Sequence, residues 1–146
     1  MVYNDYIIII VVWHMINCGD WVSYISKSTG RWRTGGLYYV SKVRVNGKKL
    51  ECDSFGWSLI ENFKKVEVYE GVIVHSLFNF LVTDNWYIKI GDLGRIIKLD
   101  TNDLSAPYLV EYTKGRSLTT QKVCKAIRVW SHMGDVGFGS NLDSSY

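Results

Sequence analysis

Residues 37–53 read LYYVSKVRVNGKKLECD. Leu37–Val45 alternates in character and is rich in Val and Tyr, residues that fill a pleated, half-buried surface well. Asn46-Gly47 is the strongest hairpin turn in the chain, because both residues tolerate positive φ. Lys48–Asp53 then returns as the partner strand. Working outward, Ser54-Phe55-Gly56 is a second tight turn, Trp57–Ile60 a further strand, Glu61-Asn62-Phe63 a short 3₁₀-type turn and Val66–Tyr69 a closing strand. Upstream, Asp20–Ile25 is a strand, and Ser26–Gly36 (SKSTGRWRTGG) is a polar, glycine-rich loop. No long window places apolar residues at 3.6-residue spacing between caps, so the expected class is all-β.

The order strand, long loop, strand, short turn, strand, tight turn, strand, 3₁₀ turn, strand resembles an SH3-like barrel over residues 17–70. The start of a polyproline-binding SH3 domain, with paired acids in its first long loop, is absent and the loop is basic instead, so that ligand is not carried over. A second unit covers residues 89–133. Its strand GDLGRIIKL (91–99), loop DTNDLSAP (100–107), strand YLVEY (108–112) and turn at Thr113-Lys114-Gly115 look like a KOW-type SH3-like module. Arg116–Thr120 and Ala126–Trp130 follow as strands. The resemblance implies two small SH3-like barrels packed together, with residues 1–16 as an extra apolar N-terminal strand. Residues 71–88, GVIVHSLFNFLVTDNWYI, are too apolar for a linker and are expected as connecting strands through which the barrels pack. Residues 134–146, rich in Gly and Ser, are expected to be a mobile tail.

Gly-Asp opens an apolar run at 19–20 and again at 91–92. Nothing phosphate- or metal-binding follows either copy. The pair therefore reads as a structural start, with Gly supplying an unusual backbone angle and Asp bonding nearby amides. A third copy, GDVG at 134–137, precedes no strand-like run.

The chain has 146 residues, 47% hydrophobic and 14% aromatic, with one proline and a net charge of +3. That suffices for one ordinary domain or two very small ones, permits an anionic partner without demanding one, and argues against a long disordered linker. The charge is grouped: Lys27, Arg31, Arg33, Lys42, Arg44, Lys48 and Lys49 fall in a stretch without acids, as do Lys114, Arg116, Lys122, Lys125 and Arg128. Three distant cysteines, Cys18, Cys52 and Cys124, fit neither a disulfide framework nor a zinc finger and suggest reduced thiols in an intracellular, cytoplasmic protein. The apolar run Tyr6–Ile16 is too short to span a bilayer as a helix, and no cation precedes it as in a secretory signal. A membrane partner is not expected.

Catalytic constellations are not evident. His14 and His75 lie in apolar strands, His132 is near the C-terminal end, and no orienting group pairs with His14 and Cys18. Asp100 and Asp103 in DTND read as a turn, because a calcium loop needs more oxygen ligands. No cofactor is expected, and the chain reads as a non-enzymatic binding protein. In style it resembles small phage or viral accessory proteins that bind a host protein through a barrel face. The alternative is a KOW- or Tudor-like nucleic-acid-binding protein, because Arg31-Trp32-Arg33 interleaves cations for phosphates with a ring for bases. The candidate contact residues are Arg31, Trp32, Arg33, Tyr38, Lys48, Lys49, Trp57, Arg116 and Lys122. A Tudor-type aromatic cage would draw on Trp21, Tyr24, Tyr39, Phe55 and Trp57, with Asp53 as its acid.

Overall fold

A computed structural model describes residues 16–44, 46, 48–83, 85–119 and 126–139. Its strands are β1 (Trp21–Tyr24), β2 (Leu37–Tyr39), β3 (Lys42–Val43), β4 (Lys49–Glu51), β5 (Trp57–Leu59), β6 (Phe63–Val66), β7 (Ile73–Ser76), β8 (Phe80–Leu81), β9 (Trp86–Ile88), β10 (Leu93–Leu99), β11 (Tyr108–Tyr112), β12 (Arg116–Ser117), β13 (Ile127–Ser131) and β14 (Val136–Phe138). The protein is all-β: two 3₁₀ turns, Asp53–Phe55 and Ile60–Asn62, are the only helical pieces among the described residues. The strands form four small sheets, ordered β2-β1-β6, β3-β4-β5, β13-β11-β10-β7-β14 and β12-β9-β8. No sheet closes on itself among the described residues: where two small SH3-like barrels were expected, the strands form several small sheets and no closed barrel. No helix among them is long and apolar enough to cross a membrane.

The hairpin at the centre of the first unit is there, but its first strand breaks. Leu37–Tyr39 pairs with β1, whereas Lys42–Val43 pairs with β4. Between them Val40 N–H donates to Asp20 O and Ser41 N–H to Glu51 O, so the chain changes sheets at a bend. A bent strand that serves two sheets is the usual corner of a small β-structure. The closing strand lies three residues earlier than expected, at Phe63–Val66, because the buried Phe63 pairs with Tyr24 and fills the core beside it.

The second unit departs further. Residues 71–88 are not merely connecting strands: β7 lies inside the five-stranded sheet, between β10 and β14, and β9 is the middle strand of its smaller neighbour. The expected mobile tail also begins too early. Val136–Phe138 pairs with β7, and Val136 is fully buried. The expected N-terminal strand falls almost wholly outside the described residues; Ile16, at its end, is buried.

The Gly-Asp pairs explain how strands begin. In Asn17–Asp20, Lys89–Asp92 and His132–Asp135 the Asp N–H donates to the carbonyl three residues back, at 3.1, 3.0 and 3.1 Å. In each, the Asp Oδ2 accepts the N–H of that same residue, at 2.8, 2.8 and 2.9 Å. The glycines have φ of +93°, +87° and +81°, a region closed to most side chains. Each glycine N–H also donates across to a neighbouring segment, to Val40 O, Ser76 O and Leu37 O respectively. The turns feed β1, β10 and β14, so the third copy does open a strand. Tyr69–Val72 repeats the backbone pattern before β7, with Val72 in place of Asp.

Two cores lie on opposite sides of the β2-β1-β6 sheet. Val22, Tyr24, Trp32, Tyr38, Leu50 and Phe63 are buried in one. Val74, Ile88, Ile96, Tyr108, Val110 and Tyr112 are buried in the other. Each core borrows from across the sheet. Met133 of the third Gly-Asp turn enters the first, and Trp21 and Leu37 enter the second. The units therefore pack through β1 and β2 as well as through the apolar middle segment. Glycines let the backbones touch there: a Cβ on Gly36 would lie 3.0 Å from Gly134 Cα, and one on Gly137 would lie 2.8 Å from Gly35 O.

Candidate nucleic-acid interface

The β3-β4-β5 sheet has one buried and one open face. Its register aligns Lys42 with Glu51 and Trp57, and Lys49 with Leu59. Strand alternation puts these residues on one side and Val43, Leu50 and Ser58 on the other. Leu50 is fully buried, so the first set faces outward. Trp57 and Leu59 are left 37% and 41% exposed. The Arg44 guanidinium lies 4.3 Å from the centroid of the Trp57 ring. Beside this pair an open groove of about 580 Å³ is lined by Val43, Arg44, Asn46, Lys48 and Lys49. Lys42, Arg44, Lys48 and Lys49 form no ion pair with a carboxylate among the described residues. The face thus offers a flat ring, a planar cation stacked on it, the further cations Lys42 and Lys49, and the carboxylate of Glu51 between Lys42 and Trp57; Lys48 stands in the adjoining groove. Lys48, Lys49 and Trp57 were legible as candidates; Lys42, Arg44 and Leu59 join them through the strand register.

The loop that drew attention in the sequence is arranged differently. Trp32 is only 6% exposed and stands among Tyr24, Tyr38, Phe55 and Phe63, with ring centroids 4.8–5.8 Å away. It is a core residue and presents no ring to a partner, because the 26–36 loop folds back over the end of the sheet. Tyr38 is fully buried as well, and its hydroxyl accepts the Arg33 N–H at 2.9 Å. Burial pushes the Tyr38 phenol up from its ordinary value.

Arg31 and Arg33 border a cleft of about 410 Å³ at the junction of the two units, with Gly30, Tyr38, Ser54, Phe55, His132, Met133 and Asp135. Arg33 Nη1 donates to Asp135 Oδ1 and to Gly134 O, each at 3.3 Å, and the guanidinium lies 4.3 Å from the Phe78 ring centroid. Asp135 Oδ2 accepts His132 N–H at 2.9 Å and lies 3.6 Å from His132 Nδ1. Burial pushes the Asp135 carboxyl up, against the opposing pull of the His132 amide and the charges of His132 and Arg33. His132 and Asp135 were missed in the sequence because they sit in the segment expected to be mobile. The third Gly-Asp pair was the signal that could have found them.

Arg116 is not a contact residue free to meet a ligand. Its Nη1 makes a close pair with Asp92 Oδ2, which holds the Arg116 guanidinium above its ordinary value. That pair ties β12 to the second Gly-Asp turn. Lys122 lies outside the described residues, as do His14 and Cys124. Trp21 and Tyr24 are buried in opposite cores, so with Trp57 exposed on a third surface the five rings named for a Tudor-type cage do not converge. Asp100 and Asp103 cap their own loop, accepting the N–H groups of Asn102 and Ser105. Among the described residues no three His, Cys, Asp or Glu side chains cluster as metal ligands. Cys18 is exposed and donates to Ser41 O at 3.0 Å; Cys52 is buried, and burial pushes its thiol well up from the ordinary value.

No protein-family model, curated protein or solved structure matches this chain.

Proposed function

We propose that the chain acts by binding, and that the outer face of β3-β4-β5 holds single-stranded nucleic acid. The observation that carries this reading is Arg44 stacked on an exposed Trp57, with Lys42 and Lys49 on the same face and Lys48 in the adjoining groove. Sequence-tolerant strand binding needs a base-stacking platform inside a cationic track, and each stacked base contributes about 1–3 kcal/mol. A protein partner anchored on Trp32 loses its anchor to the core, so the host-protein reading gives way to this one. The strand orders β2-β1-β6 and β3-β4-β5, the bent strand shared between them and the 3₁₀ turn before β6 favour an SH3-like description of the first unit. The second unit is read as a divergent relative of the same plan, on the strength of the shared Gly-Asp starts.

The test is fluorescence anisotropy with labelled single-stranded DNA and RNA of mixed sequence at several salt concentrations. Trp57→Ala weakens binding by roughly 5- to 100-fold, the loss of one stacked base. Lys49→Ala weakens it less and lowers the salt slope by about 1. No binding at low salt by the wild-type protein overturns the proposal.

A further inference from the structure

The junction cleft is a second polar site, and most of its charge is already spoken for. Both Asp135 oxygens are engaged, one by Arg33 and the other by the His132 amide. Arg33 divides its Nη1 between Asp135 and Gly134 O. Arg31 is different. It is exposed, it pairs with no carboxylate among the described residues, and its Nη1 lies beside Gly56, where an added Cβ would come within 3.4 Å. With it in the cleft lining stand the exposed Ser54 and His132 and the half-buried Phe55, whose inner side packs on Trp32 and Tyr38.

Chain continuity joins this cleft to the sheet face. Phe55 lines the cleft, Gly56 leaves open the place beside Arg31 where a side chain would stand, and Trp57 carries the stacking platform one residue on. The far side is shut: Tyr38, Met133 and Asp135 are buried, and Gly36 packs against Gly134. A ligand that enters beside Arg31 meets this buried floor. Such a place suits an end of the strand and not its middle. A terminal phosphate monoester carries a charge of about −1.5 to −2 at neutral pH and offers three acceptor oxygens to a guanidinium fork.

We infer that the junction cleft binds a nucleotide carrying a terminal phosphate monoester, with Arg31 on the phosphate and Phe55 against the base. This inference rests on the proposed nucleic-acid reading, and a free mononucleotide shares the same chemistry. The test compares three internally labelled eight-nucleotide strands, bearing a 5′-phosphate, a 3′-phosphate or hydroxyls at both ends, by anisotropy. Unlabelled AMP and UMP are then titrated against the protein by calorimetry. One phosphorylated end tightens binding at least fivefold; Arg31→Gln abolishes that difference; Trp57→Ala weakens all three strands alike. Equal binding of all three strands overturns the inference and leaves the sheet-face reading standing. Binding of AMP or UMP that is lost in Arg31→Gln, with no strand bound, supports the cleft and overturns the sheet face. No binding of strands or mononucleotides overturns both.

Discussion

Replacing Trp32 by Ala separates a core residue from a surface contact. The Trp32 ring has four aromatic neighbours, the nearest being Tyr38 at 4.8 Å between centroids, and its exposure is 6%. Truncating a buried Trp removes its transfer free energy and leaves a void that the surrounding rings fill only partly. The expected cost is about 3–5 kcal/mol. For a chain of this size each kcal/mol lowers the melting temperature by a few degrees, so Trp32→Ala melts roughly 10–15 °C lower. Trp57→Ala, whose ring faces solvent under Arg44, changes stability by no more than about 1 kcal/mol. Calorimetry or urea denaturation of the two variants measures both. If Trp32→Ala melts with the wild type while Trp57→Ala is the destabilised variant, the assignment of inside and outside is reversed and the reasoning fails.

Gly134→Ala places a side chain at φ +81° with its Cβ 2.4 Å from the Tyr38 hydroxyl, whereas Gly35→Ala, at φ +85°, meets nothing within 4 Å. Both lose about 1–2 kcal/mol to the left-handed backbone, and only Gly134→Ala loses more, which denaturation curves show directly. Burial raises the phenols of Tyr38, Tyr108 and Tyr112 above their ordinary value of 10.0. Above pH 10 the unfolded chain therefore releases protons that the folded chain keeps. Stability present below pH 10 is lost as pH rises, by up to about 1.4 kcal/mol per pH unit for each phenol. The slope of stability against pH checks this, and Tyr108→Phe makes it shallower. Cys18 is exposed and Cys52 buried, so a thiol reagent labels Cys18 at once and Cys52 only on unfolding, as peptide mass mapping reads out.

Local chemistry was legible where neighbours in sequence decide it. Tyr108–Tyr112 is a strand exactly where alternation and the following Lys114-Gly115 turn put one, and the first unit's strands appear in the expected order. Long-range packing was not legible. Nothing local distinguishes Trp32 from an exposed ring, because its burial comes from Tyr24, Tyr38, Phe55 and Phe63 on separate elements. Likewise Val136–Phe138 is too short and glycine-rich to read as a strand; it becomes one because β7 offers it an edge and Gly137 fits against Gly35 O. The Gly-Asp pairs sit between these cases. Their role as starts follows from glycine's backbone freedom and the Asp side chain's reach to a nearby amide. That the third copy also starts a strand, and the cross-strand bonds of all three, needed the fold. For the candidate site, Lys48, Lys49 and Trp57 were visible as residue types, while the register that sets Trp57 beneath Arg44 and on one face with Lys42 was not.

The central claim is that Trp57, and not Trp32, meets nucleic acid. Titrating the ¹⁵N-labelled protein with a single-stranded oligonucleotide and following the indole N–H resonances tests it most directly. The account predicts a large, saturable shift of the Trp57 indole with the Trp32 indole unmoved. An unmoved Trp57 indole in a protein that is binding the strand contradicts it.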